Sequence, residues 1–157
     1  LMVDINLQGF ISTGRFGAIR LGDSDADVIG ALGCSPESIH IDVFDEEHAG
    51  FRIGCLGVSF SLQRLNCISV FFHPPFPDVC DGIVIDTEGT SWRDLSPMAT
   101  CDILSEIDPR LTPNIACLQK AKRSVYGIRA SDMILLVFER RDSGYILDAI
   151  SASLLDP

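Results

Sequence analysis

The chain has 157 residues, of which 46% are hydrophobic and 22% charged, a composition typical of one globular domain and not of a disordered chain. Its formal net charge of −10 argues against a nucleic-acid surface and against binding to anionic membranes. The longest apolar run, Met133–Phe138, is too short to span a bilayer, and the N-terminus lacks a secretory pattern, so we expect a soluble cytoplasmic protein.

The first predicted elements lie between Arg15 and Gly33. Residues 16–21 are predicted to form a short strand, and Asp23 or Ser24 to cap the helix that follows. Acidic residues in the first turn of this helix suit its dipole, and apolar residues recur at helical spacing. Gly33 is a typical residue just past a helix C-terminus, so the helix is expected to end there.

Four strands are predicted next, because each segment is rich in β-branched and aromatic residues: residues 39–44, 51–55, 58–62 and 65–72. The connections at residues 56–57 and 63–64 are short, which predicts antiparallel neighbours. Three prolines then fall between His73 and Pro77, where no central strand can continue. We predict a rigid Pro-rich linker over residues 73–79.

The same order recurs after the linker, with a strand at residues 82–86, a helix at 92–104, a loop around Pro109 and Pro113, and strands at 124–129, 133–139 and 145–150. Ser96 and Pro97 have the residue types of a helix N-cap and first position. We therefore predict an α+β fold for the single domain 1–157, an antiparallel sheet with helices on one face. Residues 10–72 and 80–155 are either two tandem helix-plus-sheet repeats or a chance match.

The sequence contains none of the usual catalytic, nucleotide-binding or metal-binding motifs, so we expect no enzyme activity, no cofactor and no metal. His73 and Cys80 are the only sequence-near base and nucleophile, and a spatially assembled site stays the minor alternative. Six cysteines occur without a CxxC pattern, and most have apolar neighbours. Free thiols are therefore favoured over disulfides.

The densest ionisable cluster lies beside His48 and is flanked by two phenylalanines, Phe44 and Phe51. Its spacing does not match a calcium loop. It is either a solvated connection or a recognition patch for Lys or Arg of a partner, and an aromatic side chain inside a charged rim is typical of an anchor. The predicted partner-binding residues of this segment are Asp42, Phe44, Asp45, Glu46 and Glu47.

Two tyrosines complete the predicted partner-binding set. Tyr126 and Tyr145 lie on predicted strands. Each combines an apolar ring with a polar tip, which suits an exposed sheet face, and the alternative is partial burial at the sheet rim.

The segment Phe16–Gly33, followed by Gly54–Leu62 and Arg64–Ile68, resembles a pattern of small bacterial proteins, "FGxIRLGMSxxEVxxLLG" before "YGxLxFxF" strands. These proteins resemble the immunity proteins of contact-dependent inhibition and related polymorphic toxin systems. The resemblance implies a fold similar to the β-lactamase inhibitor protein, a tandem helix-plus-sheet repeat with a concave sheet face. It also implies a cytoplasmic inhibitor that occludes a cognate toxin, and the acidity suits a basic, nuclease-type toxin.

The alternative function is an acidic type III secretion chaperone that binds an effector segment. Such chaperones usually dimerise through a helix, whereas consecutive hairpins around a central proline break favour a monomer. Size-exclusion chromatography with light scattering distinguishes the two.

Overall fold

A computed structural model describes residues 3–33, 41–72, 79–80, 83–120, 123–141 and 144–154. Its helices are α1 (Leu7–Thr13), α2 (Asp25–Ala31) and α3 (Pro97–Ile107), with a 3-10 turn at Trp92–Asp94. Its strands are β1 (Val3–Asn6), β2 (Asp42–Val43), β3 (His48–Ile53), β4 (Leu56–Ser61), β5 (Arg64–Phe71), β6 (Val79–Cys80), β7 (Ile83–Asp86), β8 (Asn114–Lys120), β9 (Arg123–Arg129), β10 (Ile134–Arg141) and β11 (Gly144–Ser153).

The main sheet has eight described strands in the order β2-β3-β4-β5-β11-β10-β9-β8, and all its neighbours are antiparallel. The predicted α+β fold with an antiparallel sheet is therefore confirmed. A small second sheet, β1-β7-β6, was not predicted; in it β1 runs parallel to β7 and β6 antiparallel to it. Because β1 lies near the start of the chain and β7 beyond residue 80, this sheet joins distant parts of the sequence.

The strand order of the main sheet is symmetrical about its centre. Strands β2 to β5 form one meander, β8 to β11 form another, and the last strand of each meets the other in the β5–β11 pair. This order is what two tandem helix-plus-sheet units would give if they joined side by side. The tandem repeat stays a prediction.

The hydrophobic core lies between the helices and one face of the main sheet. Apolar residues alternate with partly exposed ones along the strands, as in β4, where Leu56, Val58 and Phe60 are buried. Helix α1 contributes Phe10 and α3 contributes Leu104 to the same cluster of buried side chains. The helices thus cover one face of the sheet, as predicted, and the other face carries polar and small residues together with Phe71 and Leu135.

Helix α1 was not predicted, although the sequence contains residues that typically cap both ends of a helix. The Asn6 side chain accepts a hydrogen bond from the Gly9 N–H at 2.8 Å, and Gly14, with a φ of 71°, ends the helix. The helix predicted at 92–104 begins only at Pro97, because residues 92–94 form a separate 3-10 turn; Ser96 is its N-cap and Pro97 its first residue, as their residue types indicated. Its eleven residues make it the longest described helix, and no described helix is long and apolar enough to cross a membrane.

Three local predictions were wrong. Residues 16–21 are not a strand: Gly17 has a φ of 62° and the chain reverses, so Phe16 and Ile19 form an isolated bridge. The predicted connections at 56–57 and 63–64 lie at Gly54–Cys55 and at residues 62–63, one or two residues earlier. The predicted loop around Pro109 and Pro113 is present at residues 108–113, but β8, which follows it directly and pairs with β9 along its whole length, was not predicted.

Some predictions fall outside the described residues. They include most of the Pro-rich linker, at residues 73–78 with His73, and the first residues of the strand predicted at 39–44. The side chain of Cys80 also lies outside the described part, so the His73–Cys80 pair is not placed. Cys55, Cys67 and Cys101 form no disulfide within the described part of the chain.

Candidate functional site

A groove opens on the helix-covered face of the sheet, at the end where β2, β3 and β4 lie. It has a volume of about 270 Å³, and helix α2, the loop after β2 and the turn after β4 complete its walls. Its apolar lining consists of Ile29, Ile41, Val43, Phe51, Phe60 and Leu62. Its carboxylates belong to Asp25, Asp45, Glu46 and Glu47. Among its described lining residues there is no lysine or arginine, and His48 provides an imidazole.

The floor of the groove is continuous with the hydrophobic core. Phe51 and Phe60 are each only 4% exposed, and their ring centroids lie 5.9 Å apart. The walls are different, because Val43 is 74% exposed and Leu62 is 68% exposed. A side chain that entered the groove would therefore contact buried aromatic rings below and solvent-exposed aliphatic groups at the sides.

The acidic loop, residues 44–47, is held in shape by Asp45. One oxygen of its carboxylate accepts hydrogen bonds from the backbone N–H groups of Glu47 at 2.7 Å and His48 at 2.8 Å. The His48 Nδ1 nitrogen lies 2.8 Å from the same oxygen, and Nδ1 is the donor because an ionised carboxylate only accepts. The backbone N–H of Glu47, and after it the His48 side chain, hold the pKa of Asp45 below its ordinary value.

We expect the Asp45→Ala substitution to loosen the acidic loop. It removes the acceptor of two backbone N–H groups, so hydrogen exchange at the Glu47 and His48 amides should accelerate by roughly two- to tenfold near neutral pH. Amide exchange measured by NMR provides the test. Glu46→Ala is the matched control, because it removes a carboxylate from the same loop without removing these bonds.

The same bonds give the loop a defined pH dependence. Because the pKa of Asp45 is lowered in the folded protein, the stabilisation of the acidic loop by its carboxylate is complete above the pKa of an unfolded Asp. This stabilisation is lost as the pH falls through the lower folded value. The difference in amide exchange between wild type and Asp45→Ala should therefore shrink in that acidic range. A difference that stayed the same there would mean that ionisation of the Asp45 carboxyl group does not stabilise the loop.

Two backbone hydrogen bonds tie the walls of the groove together. The Leu62 N–H donates to the Glu47 carbonyl oxygen at 2.7 Å, which joins the β4–β5 turn to the acidic loop. The Asp25 N–H donates to the Gln63 carbonyl oxygen at 3.2 Å, which joins the same turn to the start of α2. The groove is therefore formed before any ligand arrives.

The structure brings five of the seven predicted binding residues to one edge of the sheet. Asp45, Glu46 and Glu47 line the groove. Asp42 pairs with Gly50, and a Cβ added to Gly50 would lie 3.5 Å from the Phe44 ring, so Phe44 lies on the opposite side of the strands. At 69% exposure, Phe44 extends the apolar surface around the β2 edge.

The two tyrosines lie in the other half of the sheet. Tyr145 begins β11, is half-buried and packs against the core cluster, so it does not stand on an open sheet face. The backbone of Tyr126 lies in β9, opposite Phe138 of β10, and its side chain lies outside the described part of the structure. Strands β4 and β5 separate both from the acidic loop.

The sheet face away from the helices carries different chemistry. One row across it runs through Arg52, Gly57, Ser69, Ser151, Leu135 and Arg129. At its centre the Ser69 and Ser151 hydroxyl oxygens lie 2.8 Å apart, and at one end the Arg52 guanidinium lies 4.5 Å from the Phe71 ring centroid. The row contains two arginines, Arg52 and Arg129, and no acid, so it is a poorer match for a basic partner than the acidic groove is.

The residue pattern of the sequence predicts the acids of the groove but not most of its apolar lining. Leu62 was predicted to be the last residue of a strand, at residues 58–62. A signal for Leu62 exists, because it is a large apolar residue directly before the polar pair Gln63 and Arg64. It becomes informative only once the turn is placed at residues 62–63.

Within the described residues, no group of three or more His, Cys, Asp or Glu side chains is arranged to hold a metal ion. Comparison with protein-family models, curated proteins and solved structures gave no significant match to this chain.

Proposed function

We propose that this protein is a stoichiometric inhibitor of a basic protein, an immunity protein that neutralises a cognate toxin in the cytoplasm by covering its working surface. The observation that carries the proposal is the groove: a pre-formed apolar cleft on an exposed edge, with four carboxylates and neither lysine nor arginine among its described lining residues. Charge-rimmed apolar clefts of this kind are typical centres of protein–protein interfaces.

The charges favour a basic partner for a physical reason. Like charges around one groove repel one another, and Lys or Arg side chains of a partner relieve that repulsion. The net charge of −10 extends the same field beyond the groove and speeds the encounter with a positively charged protein. A nuclease-type toxin fits this requirement, because it must carry positive charge to hold its own substrate.

The groove alone is too small to occlude a toxin. A stable interface buries about 800 Å² on each partner, so the contact must extend beyond the groove. Phe44, which is exposed and lies outside the groove, provides an apolar contact for that extension around the β2 edge. Binding by burial and charge complementarity then replaces any chemistry.

Titration of the toxin tests the proposal. We expect the residual activity of a cognate toxin domain to fall linearly with added inhibitor and to reach zero at an equimolar ratio. Below that ratio the excess toxin should stay active indefinitely, because an occluding inhibitor does not turn over. If a trace amount of this protein silenced all the toxin, an enzymatic mechanism would replace the proposal.

A further inference from the structure

The turn between β4 and β5 is the most unusual backbone feature beside the groove. Ser61 pairs with Arg64, so the hairpin has a two-residue loop, and both loop residues have positive φ: 51° at Leu62 and 63° at Gln63. Turns of this type strongly favour Asn-Gly, because side chains with a branched or long carbon skeleton are strained there. Here the strained position holds a leucine that is 68% exposed.

Neither folding nor solubility accounts for an exposed leucine in a strained turn. Strained residues persist where the surroundings fix them and often mark binding sites. Here the surroundings do fix the turn, through the Leu62–Glu47 and Asp25–Gln63 backbone hydrogen bonds. The Leu62 side chain is thereby held against the groove, opposite the floor made by Phe51 and Phe60.

The size of the groove limits what can occupy it. Its volume of about 270 Å³ lies below the range of roughly 300–1,000 Å³ that is typical of small-molecule pockets. One large apolar side chain fits this space better than a cofactor or metabolite does. The carboxylates of Asp25, Glu46 and Glu47 around it would then meet the residues that flank that side chain.

We propose that the groove receives one apolar side chain from a Lys- or Arg-rich segment of the partner. Leu62 packs against that side chain and so determines the preference for an apolar residue. This inference rests on the proposed function, because it assumes that the groove binds a basic protein. The strain at residues 62–63 is retained because it places the Leu62 side chain at the groove, where a relaxed Asn-Gly turn would place none.

Two short synthetic peptides provide the probe. They differ only in the central residue, leucine or serine, which is flanked on both sides by lysines. In NMR titrations of the isotope-labelled protein at low salt, the leucine peptide should bind about tenfold more tightly, which corresponds to partial burial of its side chain. Equal affinity for the two peptides would overturn the inference.

The variant that tests Leu62 combines Leu62→Asn with Gln63→Gly. It should unfold at a higher temperature than wild type, since Asn-Gly suits this turn, and it should lose the preference for the leucine peptide. Leu154→Asn is the matched control, because Leu154 is also exposed, at 53%, but does not line the groove. It should keep the preference, and a double variant that kept it too would overturn the role of Leu62.

The same double variant separates the two proposals. If it inhibits the toxin as tightly as wild type does, the proposed contact of Leu62 with the partner is wrong, while the proposal of stoichiometric inhibition stands. If wild type prefers the leucine peptide but does not inhibit the toxin, the groove inference stands and the proposed function is wrong.

Discussion

Replacing Glu46 and Glu47 with lysine is expected to slow association with a basic partner by about tenfold or more at low salt. Both side chains are exposed and line the groove, so they contribute to the field that a partner meets first. Exposed charges act mainly on the association rate. Stopped-flow or surface-plasmon-resonance kinetics over a salt series would measure the effect. The difference from wild type should narrow toward physiological salt, where the Debye length is roughly 8 Å.

The control for this variant is a double reversal at the exposed Asp102 and Glu106 of α3, which do not line the groove. It changes the net charge of −10 by the same amount. If charge acts locally at the groove, the control should slow association much less than the Glu46/Glu47 variant does. If both variants slowed association equally, net charge alone would steer the partner. If neither changed the association rate, the acidic loop would be only a solvated connection between strands.

Asp45 is left unchanged in this variant for a structural reason. The sequence suggests that all acids of the loop are equivalent, but the structure gives them separate roles. The Asp45 carboxylate is bonded to two backbone N–H groups and to His48, so its reversal would disturb the loop as well as the field. Glu46 and Glu47 can be reversed without removing those bonds.

Periodicity and turn residues were sufficient to predict the fold class and most of the strands. The strands β4, β5, β10 and β11 alternate buried and exposed residues, and such alternation is visible in the sequence. The second sheet could not be found in this way. Strands β1 and β7 are four residues each and pair in parallel across about half of the chain, so no short-range pattern reveals their pairing.

The site was predictable only in part, because acids and apolar residues signal differently. A run of acids such as Asp45–Glu47 is conspicuous in a sequence. The groove beside it exists because α2, the β4–β5 turn and three strands converge, and the residues they contribute are far apart along the chain. Leu62 is a residue type that is common in strands. Only the positive φ of its turn distinguishes it from Phe60, two positions earlier, which is buried.

Phe60 and Phe44 form a matched pair for the last prediction. Both belong to the same edge of the sheet, but Phe60 is 4% exposed and faces Phe51, whereas Phe44 is 69% exposed. The proposed site requires that the floor of the groove be part of the core and that Phe44 be free to contact a partner. The same substitution at the two positions separates these requirements.

Phe60→Ala is expected to lower the free energy of unfolding by about 3–5 kcal/mol, because it removes a buried ring and leaves a cavity beside Phe51. That is a large part of the roughly 5–15 kcal/mol that holds a domain folded. Phe44→Ala should change it by no more than about 0.5 kcal/mol, as is usual at exposed positions. Urea unfolding followed by circular dichroism measures both. A loss of several kcal/mol at Phe44 would make its ring part of the fold and remove it from the binding surface, and a small loss at Phe60 would mean that the groove floor is not core.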